Sequence, residues 1–189
     1  MDNQKYPCSF CSMSIITGRG DSGETDLLYG KRIAKGSLRV ACLGGVDELN
    51  AALGMARVEI EKGECIELID QIQSKLVTLM GQLAVLPEDE QRHQQKQKNL
   101  INEEDVRWVE LHAQRYEKRG VRFTGWARPG EEGCRARAAL DMARTICRRA
   151  EHNVWQLHES GEILPLPVLL LLNRLSDLLW ILARVEPDA

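Results

Sequence analysis

Between Thr17 and Thr25 the chain reads Gly18-Arg19-Gly20-Asp21-Ser22-Gly23-Glu24. Glycines at this density leave backbone N–H groups open to a ligand, and a hydroxyl and a neighbouring cation accompany them. That is the chemistry of a phosphate cradle. The spacing also fits G-x-G-x-x-G, a pattern that binds a dinucleotide only when a buried strand precedes it and a helix opens on it. Here Ser12-Met13-Ser14-Ile15-Ile16-Thr17 is too short and polar for a central strand, and Asp26-Leu27-Leu28-Tyr29-Gly30 starts no helix. The context excludes a dinucleotide fold and leaves the anion chemistry standing.

A second group of chemically capable residues lies near the C-terminal end. Asp141, Arg144, Arg148 and Glu151 are spaced by three and four, which puts all of them on one helical face. Two arginines one turn apart would clamp a triphosphate through planar, permanently charged forks; such a ridge is also what a solvated helix face looks like. Further on, an otherwise apolar helix carries the polar stripe Asn173, Ser176, Asp177, Trp180 and Arg184. Polar groups on a buried helix need partners. Asp177 can be a structural mate of Arg174 or of an arginine on the preceding helix, and Asn173 can be a ligand contact at the rim of a cleft. Cys8-x-x-Cys11 lacks the second pair a zinc site needs. The histidines at 93, 112, 152 and 158 have no metal-binding spacing.

The elements that must carry these groups follow from periodicity. Residues 1–43 show turn chemistry and little period, which predicts an irregular N-terminal arm. Residues 44–189 form a single helical domain with five predicted helices. The first runs from Val46 to about Ile60 and the second from Cys65 to Leu86, with Ile69, Ile72, Leu76, Leu79, Leu83 and Leu86 on a strong bundle-type stripe. Pro87 ends it, and residues 87–101, rich in Glu, Gln and Lys, read as a mobile connection. The third spans Asn102 to Arg119, the fourth Cys134 to His158 and the fifth Leu166 to Val185. Gly125–Gly133 is a loop holding Trp126, Arg128 and Pro129.

With 189 residues the chain suits one domain with a real core, and a net charge of -3 gives no pull toward nucleic acid or an anionic membrane. No secretory signal and no membrane span are evident, and the scattered cysteines suit a reduced, cytoplasmic setting.

Taken together, T-G-R-G-D-S-G-E-T followed by K-R-I-A-K, then G-G-V-D-E-L-N-A-A-L-G, A-R-T-I-C-R-R-A-E and L-N-R-L-S-D-L-L-W-I-L-A-R resemble the ATP:cob(I)alamin adenosyltransferases of the propanediol-utilisation type. The resemblance runs from Ile16 to Arg184 with four motifs in order. It implies an all-α, ferritin-like five-helix bundle with an irregular N-terminal arm, assembled as a homotrimer with the active site between subunits. The substrates would be ATP, with Mg²⁺, and cob(I)alamin. A flavoprotein reductase and an adenosylcobalamin-dependent enzyme would be partners; nucleic acid and membrane would not. By position, Thr17, Gly20, Asp21, Ser22, Gly23 and Thr25 would wrap the ATP phosphates and Lys35 would neutralise them. Arg148 would contact the triphosphate, and Arg144 would serve an ion pair across the subunit boundary. Glu151, also the implied Mg²⁺ ligand, and Asn173 would finish the nucleotide site. Trp126 would face the corrin, where the family has phenylalanine. Gly36-Ser37-Leu38 replaces the family's acidic pair, so a non-catalytic protein that binds and delivers ATP or adenosylcobalamin is the alternative.

Overall fold

The structure is a computed structural model that describes residues 16–61, 63–121, 125–131 and 133–185; Cys8 and Cys11 lie outside them. It is mostly helical. Among the described residues there are six α-helices and two short strands, not helices alone. β1 (Glu24–Asp26) pairs antiparallel with β2 (Arg32–Ala34), with Thr25 opposite Ile33. Three-residue strands are too short to show an alternation, which is why residues 1–43 looked irregular.

The helices are α1 (Leu38–Glu59), α2 (Glu64–Leu83), α3 (Glu90–Lys96), α4 (Glu103–Glu117), α5 (Arg135–Glu159) and α6 (Leu166–Leu182). The most extensive contacts follow the order α2, α1, α5, α6, α4. Leu49, Leu53, Ile72, Leu76, Leu79, Leu157, Leu172 and Leu175 are among the fully buried side chains at the centre. No helix among the described residues is long and apolar enough to cross a membrane.

Several boundaries differ from the sequence expectation, and α6 ends at Leu182 rather than Val185. α1 begins eight residues early, because the Ser37 hydroxyl accepts from the Val40 amide (3.4 Å) and caps it. Gly44-Gly45 disguised this start. Gly45 is there for contact: a Cβ would stand 3.2 Å from Asn153 Nδ2 and 3.4 Å from Ala150, so the glycine lets α1 lie against α5. α2 stops at Leu83 rather than Leu86, since the buried Arg39 guanidinium donates to the carbonyls of Leu83 and Val85 (2.7 Å each). Finally, residues 87–101, expected as a mobile connection, contain a 3₁₀ turn at Pro87–Asp89 and α3, with the His93 side chain buried. Its polar composition concealed one inward-facing residue.

Asn102 closes a full capping box on α4: its side chain accepts from Glu104 and Asp105, and Asp105 accepts from the Asn102 amide. Asn102→Ala is expected to lower unfolding free energy by about 1 kcal/mol, read as a lower urea midpoint at unchanged slope.

Candidate functional site

The glycine loop sits at the open end of the β1–β2 hairpin. Gly18 (φ 67) and Gly23 (φ 84) occupy the left-handed region, and Asp21 N–H donates to Gly18 O (3.1 Å) while Gly23 N–H donates to Gly20 O (3.2 Å). Lys35 N–H closes the loop onto Gly23 O (2.8 Å). The Lys35 ammonium lies directly over Gly20, where an added Cβ would come within 2.7 Å of Nζ. Glycine at position 20 lets the ammonium rest against the backbone, although the exposed lysine tail could swing aside for a larger residue. Thr17, Asp21, Ser22 and Lys35 are exposed and Thr25 is half-buried. Arg32 binds Glu24, Asp26 and the Arg19 carbonyl, and Arg19 binds Asp26, which stiffens the hairpin's outer face.

A second cluster forms where α5 meets α6. The buried Glu151 carboxylate accepts from Asn173 Nδ2 (3.0 Å), and Asn173 Oδ1 accepts from Arg174 (2.6 Å), whose Nε donates to Glu110 on α4 (2.7 Å). The expected partner for Asn173 is therefore Glu151. Arg174 turns to α4 and not to Asp177, which is exposed along a groove of about 470 Å³ between α4 and α6. Arg148, one turn before Glu151, is exposed and makes no hydrogen bond or ion pair with the described residues. A guanidinium left open beside a buried carboxylate is suited to an incoming polyanion.

A third cluster lies further toward the start of α5. Buried Asp141 accepts from Arg144 (3.1 Å) and, through both oxygens, from buried Arg184 (3.0 and 3.1 Å). Arg184 also donates to the carbonyls of Trp180 (3.0 Å) and, more weakly, Ala127 (3.4 Å), beside Trp126, and packs on the Trp180 ring. Trp126 is 88% exposed. Sequence spacing placed Asp141 and Arg144 together; it gave no sign that Arg184, 43 residues on, completes them.

Among the described residues no hydrogen bond or ion pair joins the glycine loop to α5 or α6. No group of three or more His, Cys, Asp or Glu among them could hold a metal ion unaided. Glu151 offers a single carboxylate, which fits Mg²⁺ only in the way that ion commonly binds, with phosphates and waters filling its other positions. Burial pushes the Cys42 thiol up to about 11 and raises Cys147 further, so neither supplies a thiolate.

Fold and site thus define a helical bundle with a lysine-capped glycine loop and an open arginine on a separate helix face. Comparison with known proteins makes the class specific. The cobalamin adenosyltransferase family profile matches residues 15–186, and the chain belongs to that family. It is 35% identical over 175 residues to the corrinoid adenosyltransferase PduO of Salmonella typhimurium, covering 92% of this chain and 50% of that protein. It is 36% identical over 177 residues to a corrinoid adenosyltransferase of Bacillus subtilis, covering 92% of this chain and 86% of that protein. The chain therefore spans half the length of the Salmonella protein and most of the Bacillus one. A variant PduO-type ATP:corrinoid adenosyltransferase from Lactobacillus reuteri, complexed with cobalamin and ATP, superposes with a TM-score of 0.74 at 32% identity, covering 90% of this chain and 92% of that one.

Proposed function

We propose that this protein transfers the 5′-deoxyadenosyl group of ATP to the cobalt of cob(I)alamin, giving adenosylcobalamin and triphosphate. The observation that carries the reading is the open Arg148 beside the Glu151–Asn173 pair, on a chain of this family whose hairpin presents a lysine-capped glycine loop. Cobalt(I) supplies the electron pair for the new cobalt–carbon bond, and the C5′–oxygen bond breaks with its pair going to triphosphate. The protein then needs no side-chain nucleophile, in keeping with the raised thiols of Cys42 and Cys147. Its task is to orient C5′ and to stabilise the departing charge. Lys35 and the amides around Gly20–Gly23 would hold the phosphates, with Thr17 and Thr25 flanking them, and Arg148 would take up charge as triphosphate leaves. Asn173, fixed by Glu151, would position the nucleoside end, and Glu151 would share Mg²⁺ with the phosphates. Mg²⁺ would neutralise phosphate charge.

The loop and the α5–α6 face belong to one site if the arm of one subunit meets α5 of its neighbour in a homotrimer. Exposed Met55, Val58 and Met142 on α1 and α5 favour such burial. Within each subunit the five long helices would form the ferritin-like five-helix bundle, and Trp126 would face the corrin. Arg144, which pairs with Asp141 in its own chain, would keep its remaining guanidinium nitrogens for a contact across the boundary. A cytoplasmic setting, with a flavoprotein reductase upstream and an adenosylcobalamin-dependent enzyme downstream, completes the proposal.

The test is incubation with Mg²⁺-ATP and chemically reduced cob(I)alamin. Loss of the cob(I)alamin absorbance with formation of adenosylcobalamin is expected. Binding of ATP with no adenosylcobalamin formed would favour the delivery reading, for which Gly36-Ser37-Leu38 is the motive.

A further inference from the structure

We infer that α3 is a clamp that positions the nucleotide arm, with Tyr29 the positioning residue that His93, Arg92 and Lys96 grip. The inference rests on the reading that the glycine loop holds the ATP phosphates. Tyr29 lies in the 3₁₀ turn Leu28–Gly30 between the two strands, at φ 61 and ψ 25, and is the one non-glycine residue with positive φ among the described residues. A tyrosine stays in the left-handed region only where its surroundings hold it.

Here they hold it from several sides. Its hydroxyl and His93 Nδ1 form a hydrogen bond of 3.0 Å. Arg92 and Lys96 stand over its ring, 4.4 and 5.7 Å from the centroid. Lys31, two residues on, pairs with Glu88 (3.0 Å) and Asp89 (3.6 Å), and Leu28 N–H donates to Ala84 O (3.1 Å). The platform beneath is itself braced, because Arg39 ties the carbonyls at the end of α2 to Glu162. His93 is 5% exposed and lines a cavity of about 300 Å³ in that corner, so the gripping group is fixed by burial.

The arm is thus pinned at its closed end, while its loop at the other end is exposed and bonded within the hairpin. Strands of three residues put these ends roughly 10 Å apart. Lys35 is also held at its own end, two residues before the Ser37 cap of α1, and the grip at Tyr29 reaches the Gly18–Gly23 loop through the pairing of β1 with β2. Loosening it lowers the fraction of arms in the binding position, and apparent ATP affinity falls by that fraction.

Tyr29→Gly removes the ring without backbone strain but frees the turn's backbone, whereas His93→Leu removes the hydrogen bond and leaves that backbone unchanged, so the anchor is what the two variants share. The expected result is a rise of roughly ten-fold in the ATP Kd by calorimetry with Mg²⁺, and in the ATP KM, at nearly constant kcat and cobalamin KM. His93→Leu, which keeps apolar volume in the corner, should move the ATP KM the same way, and His93→Gln, whose amide can accept from or donate to the Tyr29 hydroxyl, should recover part of it. Lys35→Ala is the control for the underlying reading. If it weakens ATP binding while Tyr29→Gly and His93→Leu leave KM within about two-fold of the parent, the clamp is overturned and the loop assignment stands. If Lys35→Ala has no effect, the loop assignment itself fails. A matched loss of kcat with every substrate, together with reduced helical circular dichroism in both Tyr29→Gly and His93→Leu, would mark a purely structural role and also overturn the clamp.

Discussion

Arg148→Ala is expected to lower kcat/KM for ATP by about 10²–10³-fold, the range found when one charge-stabilising donor is removed from a transition state. The fold does not depend on this side chain. It is exposed, has no partner among the described residues, and stands on the outer face of α5 while Ala143, Cys147 and Ala150 fill the core. The unfolding free energy read from urea denaturation should therefore move by no more than about 0.5 kcal/mol. The loss should fall mainly on kcat if the guanidinium meets charge that develops as triphosphate departs, and mainly on KM if it only holds ground-state phosphate. Arg148→Lys separates charge from geometry, because an ammonium keeps the charge and lacks the planar fork. A recovery of less than half of the lost activation free energy would show that bidentate geometry matters. Kinetics of Arg148→Ala indistinguishable from the parent would remove Arg148 from the site and leave the ridge as a solvated helix face.

The helical part of this protein was legible because its signals are local. Stripes such as Ile69, Ile72, Leu76, Leu79 and Leu83 report burial directly, and Asn102 with Asp105 announces a helix start. The glycine loop was legible for the same reason. What escaped depends on contacts distant in sequence. Nothing near Arg39 says that it caps the end of α2, 44 residues away, or that α2 must therefore stop early. Nothing near His93 marks it as the buried residue of a polar stretch, since its partner Tyr29 is 64 residues upstream. The ridge on α5 was found by its spacing, yet its members part company in the structure. Arg148 is open, Arg144 and Asp141 share a network with Arg184, and Glu151 is taken by Asn173. One pattern therefore held two kinds of residue, and only the partners told them apart.

That distinction makes Asp141 the member of the α5 ridge whose loss should cost the fold most. Its carboxylate is buried between two guanidiniums, one of which, on Arg184, is equally buried. Asp141→Ala leaves Arg184 as a charge without a counter-ion, and breaking a buried pair from one side costs about 3–5 kcal/mol. Urea denaturation should show the loss as a lower midpoint at unchanged slope. Removing both charges is a different matter. In Asp141→Leu/Arg184→Met the desolvation penalty disappears with the pair, so most of the lost stability should return. Function should not return with it. Arg184 also donates to the Ala127 carbonyl, which ties the Trp126 segment to the turn that follows α6. A stable double variant would leave Trp126 less well placed, and its KM for cob(I)alamin should stay raised while its ATP affinity is near the parent's. If the double variant instead recovers both stability and cobalamin KM, the pair serves packing alone. If Asp141→Ala costs less than about 1 kcal/mol, the carboxylate is solvated in solution and the network does not hold the bundle together.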